Sequence, residues 1–170
     1  MGSVGRYKVD LIKDMADCDA NFIRLLKLMP ELESYRDYCL QSHIECGFEA
    51  DDKYTREFSI AMSGAGVARI RISVVEVFRY TSTLLVEQVN TVHSLLPAPK
   101  VLVRLYHDAR TAEAIEYQGR RALLARYAIP NEKMYHQDEK RQINGFLGEW
   151  LNLCLAAGFS SKTPEFACTA

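Results

Sequence analysis

Two spacings of apolar residues alternate along the chain. In "DLIKDMADCDANFIRLLKLMP", Leu11, Met15, Cys18, Phe22, Leu25 and Met29 recur three and four residues apart, the period of one helical face. Asp10 suits the N-cap of that helix, because its carboxylate can accept from the free amides of the first turn, and Pro30 marks its end. "ELESYRDYCLQ" continues the helical reading, with Leu32, Tyr35 and Cys39 on one face. "GFEADDK" then breaks the pattern.

The middle of the chain switches to a period of two. "REFSIAM" and "ARIRISVVEVFRYT" flank "SGAG", so Gly64 and Gly66 predict a hairpin turn. A phosphate-cradling loop would need a third glycine, a following helix and a lysine, and none is there. "STLLVEQVN" and "KVLVRLYHDA" follow across a connection holding Pro97 and Pro99, and "TAEAIEYQ" with "RALLARYAI" predicts a second hairpin around Gly119. Consecutive strands with short links favour an antiparallel sheet of about five to six strands. With an amphipathic helix at each end of the chain to pack on it, the class is α+β.

Two strands depart from simple alternation. In "RIRISVVEVFRY", Ile70, Ile72 and Val74 alternate with Arg69, Arg71 and Ser73, but Glu76 then falls on the parity of the apolar set. Either a bulge shifts the register or both faces become covered. In "VLVRLYHD", Val101, Val103, Leu105 and His107 share one parity, Leu102, Arg104 and Tyr106 the other, and both faces read as largely covered. Arg104 and His107 therefore call for a carboxylate, since unpaired buried charge is costly; Glu76 and Glu87 are the candidates.

The C-terminal helix carries Ile143, Phe146, Leu147, Trp150, Leu151 and Cys154 as its apolar stripe. Extended backward at about 100° per residue, the stripe reaches His136 with Glu139 and Lys140 beside it, and turns Asp138 and Arg141 toward solvent. The inward trio has two readings. Acidic residues and polar caps belong at a helix start, and a histidine there can anchor the sheet by hydrogen bonds; alternatively, clustered ionisable groups mark a ligand site. The arrangement expected is one polar pocket of His107, His136, Glu139, Glu76 and Arg104 where sheet meets helix start.

Composition narrows the function classes. A chain of 170 residues fits one domain over 1–170, with its core at about 7–159 and loose ends at 1–6 and 160–170, burying about 70% of its unfolded surface. Hydrophobic residues at 48% and charged residues at 25% are globular usage rather than that of a disordered chain. A formal net charge of −1 argues against general nucleic-acid binding and against membrane-surface binding, both of which bring a basic excess. No apolar run approaches the ~18 residues of a membrane span, and no leader pattern opens the chain, so a cytoplasmic location is expected. Five cysteines without a CxxC pair fit reduced thiols. Cys39, His43 and Cys46 have a loose metal-ligand spacing but lack a fourth ligand, so neither metal nor cofactor is expected.

"RYTSTLLVEQ", "VRLYHDARTAE", "ARYAIPNEKMYHQDEKRQINGFLGEWL" and "CDANFIRLLKLMP" together resemble the YqiB-like family of small proteobacterial cytosolic proteins, a domain of unknown function. The resemblance spans about residues 7–159 and departs at about 35–52 and in the C-terminal tail. It implies no activity and therefore no catalytic role. Arg79, Tyr80, Thr81, Arg104, Tyr106, His107, Asp108, His136, Asp138, Glu139, Lys140 and Asn144 fall in its motif blocks.

Two function classes follow. In the first, the protein is a non-enzymatic binding or regulatory module for an anionic metabolite or a partner protein, using Arg79, Arg104, Tyr106, His107, His136, Glu139, Lys140 and Glu76; arginine offers carboxylate or phosphate a rigid donor fork. In the second, it is a hydrolase or transferase with His107 or His136 as general base and Asp108 or Glu139 as its orienting carboxylate. No nucleophile motif or phosphate loop accompanies that pair. The apolar stripe of the first helix suits either the protein's own core or a homodimer seam.

Overall fold

A computed structural model describes residues 10–42, 54–62, 66–90, 97–118 and 135–160, with the backbone alone at 135–138 and 160. Helix α1 covers Leu11–Leu28 and α2 Leu32–Ser42. Strands β1 (Thr55–Met62), β2 (Gly66–Val77), β3 (Thr81–Gln88), β4 (Lys100–Tyr106) and β5 (Thr111–Tyr117) follow, then helix α3 (Tyr135–Ala157) and the short strand β6 (Gly158–Ser160). The strands form an antiparallel sheet in the order β5-β4-β3-β2-β1-β6. The α+β class and the antiparallel sheet expected from the sequence are the observed ones. β6 was unexpected: the chain leaves α3 at Gly158 and pairs at once with Phe58–Ile60 of β1. The strand expected at "RALLARYAI", and the Cys39–His43–Cys46 spacing beyond Ser42, lie outside the described residues.

Period-two alternation sets the core. Ile70, Ile72 and Val74 of β2 stand beside Val86 and Leu84 of β3, then Val101, Val103 and Leu105 of β4, then Ala112 and Ala114 of β5, all buried on one face. Phe22, Leu25 and Leu28 of α1 with its C-cap Met29, Leu32 of α2, and Leu147, Trp150 and Leu151 of α3 close over that face. Each such side chain taken from water contributes about 1.5–3 kcal/mol. The small residues on β5 coincide with the strand that α1 and α3 approach most closely, where a larger side chain would hold the helices off the sheet.

The expected caps of α1 are present. Asp10 Oδ1 accepts from the backbone amide of Lys13 at 3.2 Å, and the helix stops before Pro30. Its stripe, however, is buried only in part. Phe22, Leu25 and Met29 are in the core, whereas Leu11 and Met15 are 65% and 61% exposed. On α2, Leu32 and Cys39 are buried and Tyr35 packs against the core, as their shared face requires.

The irregularity in β2 is a bulge. Val74 pairs with Leu84 and Glu76 with Thr83, so Val75 is the extra residue, itself buried, and Glu76 moves to the face opposite the core. The same register corrects the reading of β4: its odd positions are buried, but Leu102, Arg104 and Tyr106 on the opposite face are only half-buried.

α1 and α3 meet through polar groups as well as apolar ones. Asn21 Nδ2 donates to the carbonyl oxygen of Asn144 at 3.1 Å, and Arg24 bridges Asn21 Oδ1 at 2.9 Å and Asn152 Oδ1 at 2.7 Å. Gly148 makes this approach possible, because a Cβ there would stand 3.0 Å from Asn21 Oδ1. Asn144 also reaches the sheet, where its Oδ1 accepts the backbone amide of Ala114 at 2.8 Å. That amide belongs to the outer edge of β5, so a side chain of α3 occupies a position that another strand would otherwise use.

Candidate functional site

The polar residues singled out in the sequence divide between the two faces of the sheet. On the face opposite the core, the bulge brings Glu76 beside Thr83, whose Oγ1 donates to Glu76 Oε2 at 3.0 Å. Arg104 Nη2 lies 3.8 Å from the same oxygen. Glu113 of β5 is directly opposite Arg104; its Oε1 accepts from the Tyr106 hydroxyl at 3.0 Å, and its Oε2 is 2.6 Å from Lys140 Nζ of α3. Burial, followed by the hydrogen bond to Glu113, holds the Tyr106 hydroxyl above its ordinary value of 10.0, so it stays a proton donor. Two cations are thus matched by two carboxylates. A second row crosses four strands, with Arg71 2.7 Å from Glu57 and 3.7 Å from Glu87, and Lys100 3.6 Å from Glu87.

His107 is elsewhere. Its backbone amide donates to the Tyr80 carbonyl at 2.9 Å, and its ring turns to the core face, 6.2 Å and edge-on to Phe22 of α1. Nε2 is 2.8 Å from the Ser82 hydroxyl, which is fully buried; Nδ1 is buried and has no hydrogen-bond partner among the described residues. The carboxylate expected for His107 is therefore a serine, and Glu87 is taken by Arg71 and Lys100. Desolvation, reinforced by the Arg36 guanidinium, lowers the imidazole below its ordinary 6.5 against the opposing charges of Glu33, Asp37 and Asp108. A neutral imidazole is compatible with a single good hydrogen bond. Asp108 itself is exposed on the β4–β5 turn.

The start of α3 is rotated from the sequence reading. The buried line runs through Asn144, Leu147, Gly148, Leu151 and Cys154, while Phe146 stands at the margin against Tyr117 and Trp150. Counting apolar residues alone omits Asn144 and Gly148 and displaces the face. Arg141, expected in solvent, lies with Nε 3.2 Å from Asp14 Oδ1 of α1, whereas Glu139, expected inward, is exposed. Lys140 does face the sheet, through Glu113. The side chains of His136 and Asp138 lie outside the described residues. The single pocket expected from the sequence is thus separated, with Glu76 and Arg104 on one face and His107 on the other.

Two contributors escaped the sequence reading, Glu113 and Ser82, and in the turn between β2 and β3 it named Arg79 as a binding residue but not the exposed Phe78 beside it. Phe78 and Tyr80 are 58% and 59% exposed there, and the Arg79 guanidinium carbon lies 5.5 Å from the centre of the Tyr80 ring. Phe78 N donates to the Thr81 carbonyl at 2.8 Å, closing the turn, and the His107–Tyr80 backbone bond joins it to the β4–β5 turn. Exposed Asp108, Ala109 and Arg110 therefore stand next to exposed Phe78, Arg79 and Tyr80 at one end of the sheet. Among the described residues no group of three metal-ligating side chains occurs, and no helix is long and apolar enough to cross a membrane.

Residues 24–160 match the family described as "Protein of unknown function (DUF1249)". The chain is 35% identical over 153 residues to the "Uncharacterized protein YqiB" of Escherichia coli strain K12, covering 90% of this chain and 94% of that protein. The proteins of the same description from Escherichia coli O6:H1 and O157:H7 show the same identity and coverage. No solved structure matches. The chain belongs to this YqiB-like family of unknown function.

Proposed function

We propose that this protein is a non-enzymatic binding module that meets a partner protein at the end of the sheet where the β2–β3 and β4–β5 turns adjoin. The observation that carries the reading is the exposed Phe78-Arg79-Tyr80 turn. Turns ordinarily use glycine, proline, asparagine or aspartate for their backbone geometry, and nothing in that geometry asks for two aromatic rings and a guanidinium. These are the side chains that concentrate binding energy at protein interfaces. An anionic metabolite is the weaker reading, because Arg104 and Lys140 already hold Glu76 and Glu113. The Cys18 and Cys154 thiols suit a reducing compartment and support a cytoplasmic location.

A hydrolase or transferase reading rests on Ser82 and His107, whose hydrogen bond has the chemistry of a nucleophile and its base. Two facts weigh against it: Ser82 is buried from any substrate, and among the described residues no carboxylate orients Nδ1. The test uses the full chain. Thermal unfolding against nucleotides, phosphorylated metabolites and divalent metals should show no shift that Arg104→Ala abolishes; a true ligand at 100 times its Kd would add about 2.7 kcal/mol. A partner isolated with the wild type should be lost from Phe78→Ala/Tyr80→Ala at unchanged Tm. A metabolite shift erased by Arg104→Ala, or a partner retained by the double variant, overturns the reading.

A further inference from the structure

We infer that the partner presents an acidic polypeptide segment carrying at least one apolar side chain, and that it seats on Arg79 and Arg110 across the two adjoining turns. The inference rests on the binding reading above and assigns the chemistry of the partner.

Charge is what selects the occupant. Most of the arginines and lysines that line the sheet are committed: Arg71 to Glu57 and Glu87, Lys100 to Glu87, Arg104 to Glu76, Lys140 to Glu113. At the turn end the pattern changes. Among the described residues Arg79 contacts only the Tyr80 ring and Arg110 makes no ion pair, and both side chains are exposed on turns joined by the His107–Tyr80 backbone bond. Asp108 is the one carboxylate on these turns, which leaves them net positive by one charge.

The surroundings favour a polypeptide over a small anion. The Arg79 guanidinium lies beside the exposed Tyr80 ring, with exposed Phe78 on the same turn, so affinity needs apolar contact over the rings together with carboxylates at the arginines. Arginine forks match carboxylates in pairs, and a chain with acidic residues near an aromatic or aliphatic one satisfies both requirements.

The experiment is selection of a phage-displayed random 12-residue peptide library on the full-length protein, followed by fluorescence anisotropy with the enriched peptides. The expected result is enrichment of peptides with several Asp or Glu and one or more large apolar residues. Their affinity should fall at least tenfold with Arg79→Glu/Arg110→Glu and with Phe78→Ala/Tyr80→Ala, at unchanged Tm, and should weaken with added salt. Neutral or basic peptides that Phe78→Ala/Tyr80→Ala still disrupts overturn the acidic partner while leaving the binding end in place. Peptides indifferent to both double variants overturn the inference and the binding reading together. Tighter binding of a labelled dT 20-mer than of any peptide, lost with Arg79→Glu/Arg110→Glu, also overturns the acidic partner.

Discussion

Asn144 Oδ1 of α3 accepts the backbone amide of Ala114 on the outer edge of β5 at 2.8 Å, while its own carbonyl accepts from Asn21 Nδ2 of α1. One buried side chain and its peptide unit thereby fix both helices to the last strand of the sheet. Asn144→Ala should leave the Ala114 amide buried without a partner, at a cost of about 1–3 kcal/mol. Urea unfolding measures this directly, and a loss below about 0.5 kcal/mol would mean that the edge amide finds water or relaxes.

The two glycines of α3 should respond in opposite ways to the same substitution. Alanine is favoured over glycine inside a helix by about 0.8–1 kcal/mol. At Gly145 the new methyl meets nothing within 4 Å, so Gly145→Ala should raise Tm. At Gly148 it would press on Asn21 Oδ1 at 3.0 Å and Arg24 Nη1 at 3.3 Å, and Asn21 is fully buried and tied to Asn144. Gly148→Ala should therefore give no gain or a net loss. Parallel thermal scans of the two variants decide it, and equal gains would show that α1 yields freely.

Strand alternation was readable from residue types alone, because side chains that share parity must share a face; hence the hairpin at Gly66, the apolar parity of β2 to β4 and the α+β class. Register was not readable. Nothing local says that Arg104 faces Glu113, or that Thr83 faces Glu76, since cross-strand pairing depends on turn lengths and on the Val75 bulge. Grouping His107 with Arg104 in one pocket set aside their opposite parities, which already put the two side chains on opposite faces. On α3 the error came from polarity: a buried asparagine and a buried glycine belong to the inward stripe but do not count as hydrophobic. Ser82 looked like an ordinary strand residue, because only the fold brings it to His107.

The ion pairs on the face opposite the core should be individually weak. The Arg104 and Glu76 side chains are 40% and 37% exposed and their closest atoms are 3.8 Å apart. A double-mutant cycle with Arg104→Ala and Glu76→Ala should give a coupling of about 0–1 kcal/mol, reduced further in high salt. The pair formed by Lys140 and Glu113 is closer, and Glu113 also holds Tyr106, so its cycle should give the larger coupling. The reverse order would show that Arg104 spends its charge on Glu113 instead.

His107 should make stability depend on pH in mild acid. Burial lowers its folded-state value below the 6.5 of the unfolded chain, so between those two values the unfolded chain binds more protons than the folded one. The contribution is fully present above pH 6.5 and is lost as pH falls from there through the folded value, where the charged ring must enter a site already occupied by Arg36. Protonation also requires a donor at both ring nitrogens, and Nδ1 has no acceptor among the described residues. His107→Gln carries no such charge, so its unfolding free energy should decline less than that of the wild type between pH 8 and pH 5. Urea titrations of both proteins across that range give the difference curve, to which the remaining histidines contribute equally in the two proteins. Parallel profiles would mean that the folded protein admits a charged imidazole here, and that the Ser82 hydroxyl and a rearranged Nδ1 suffice to hold it.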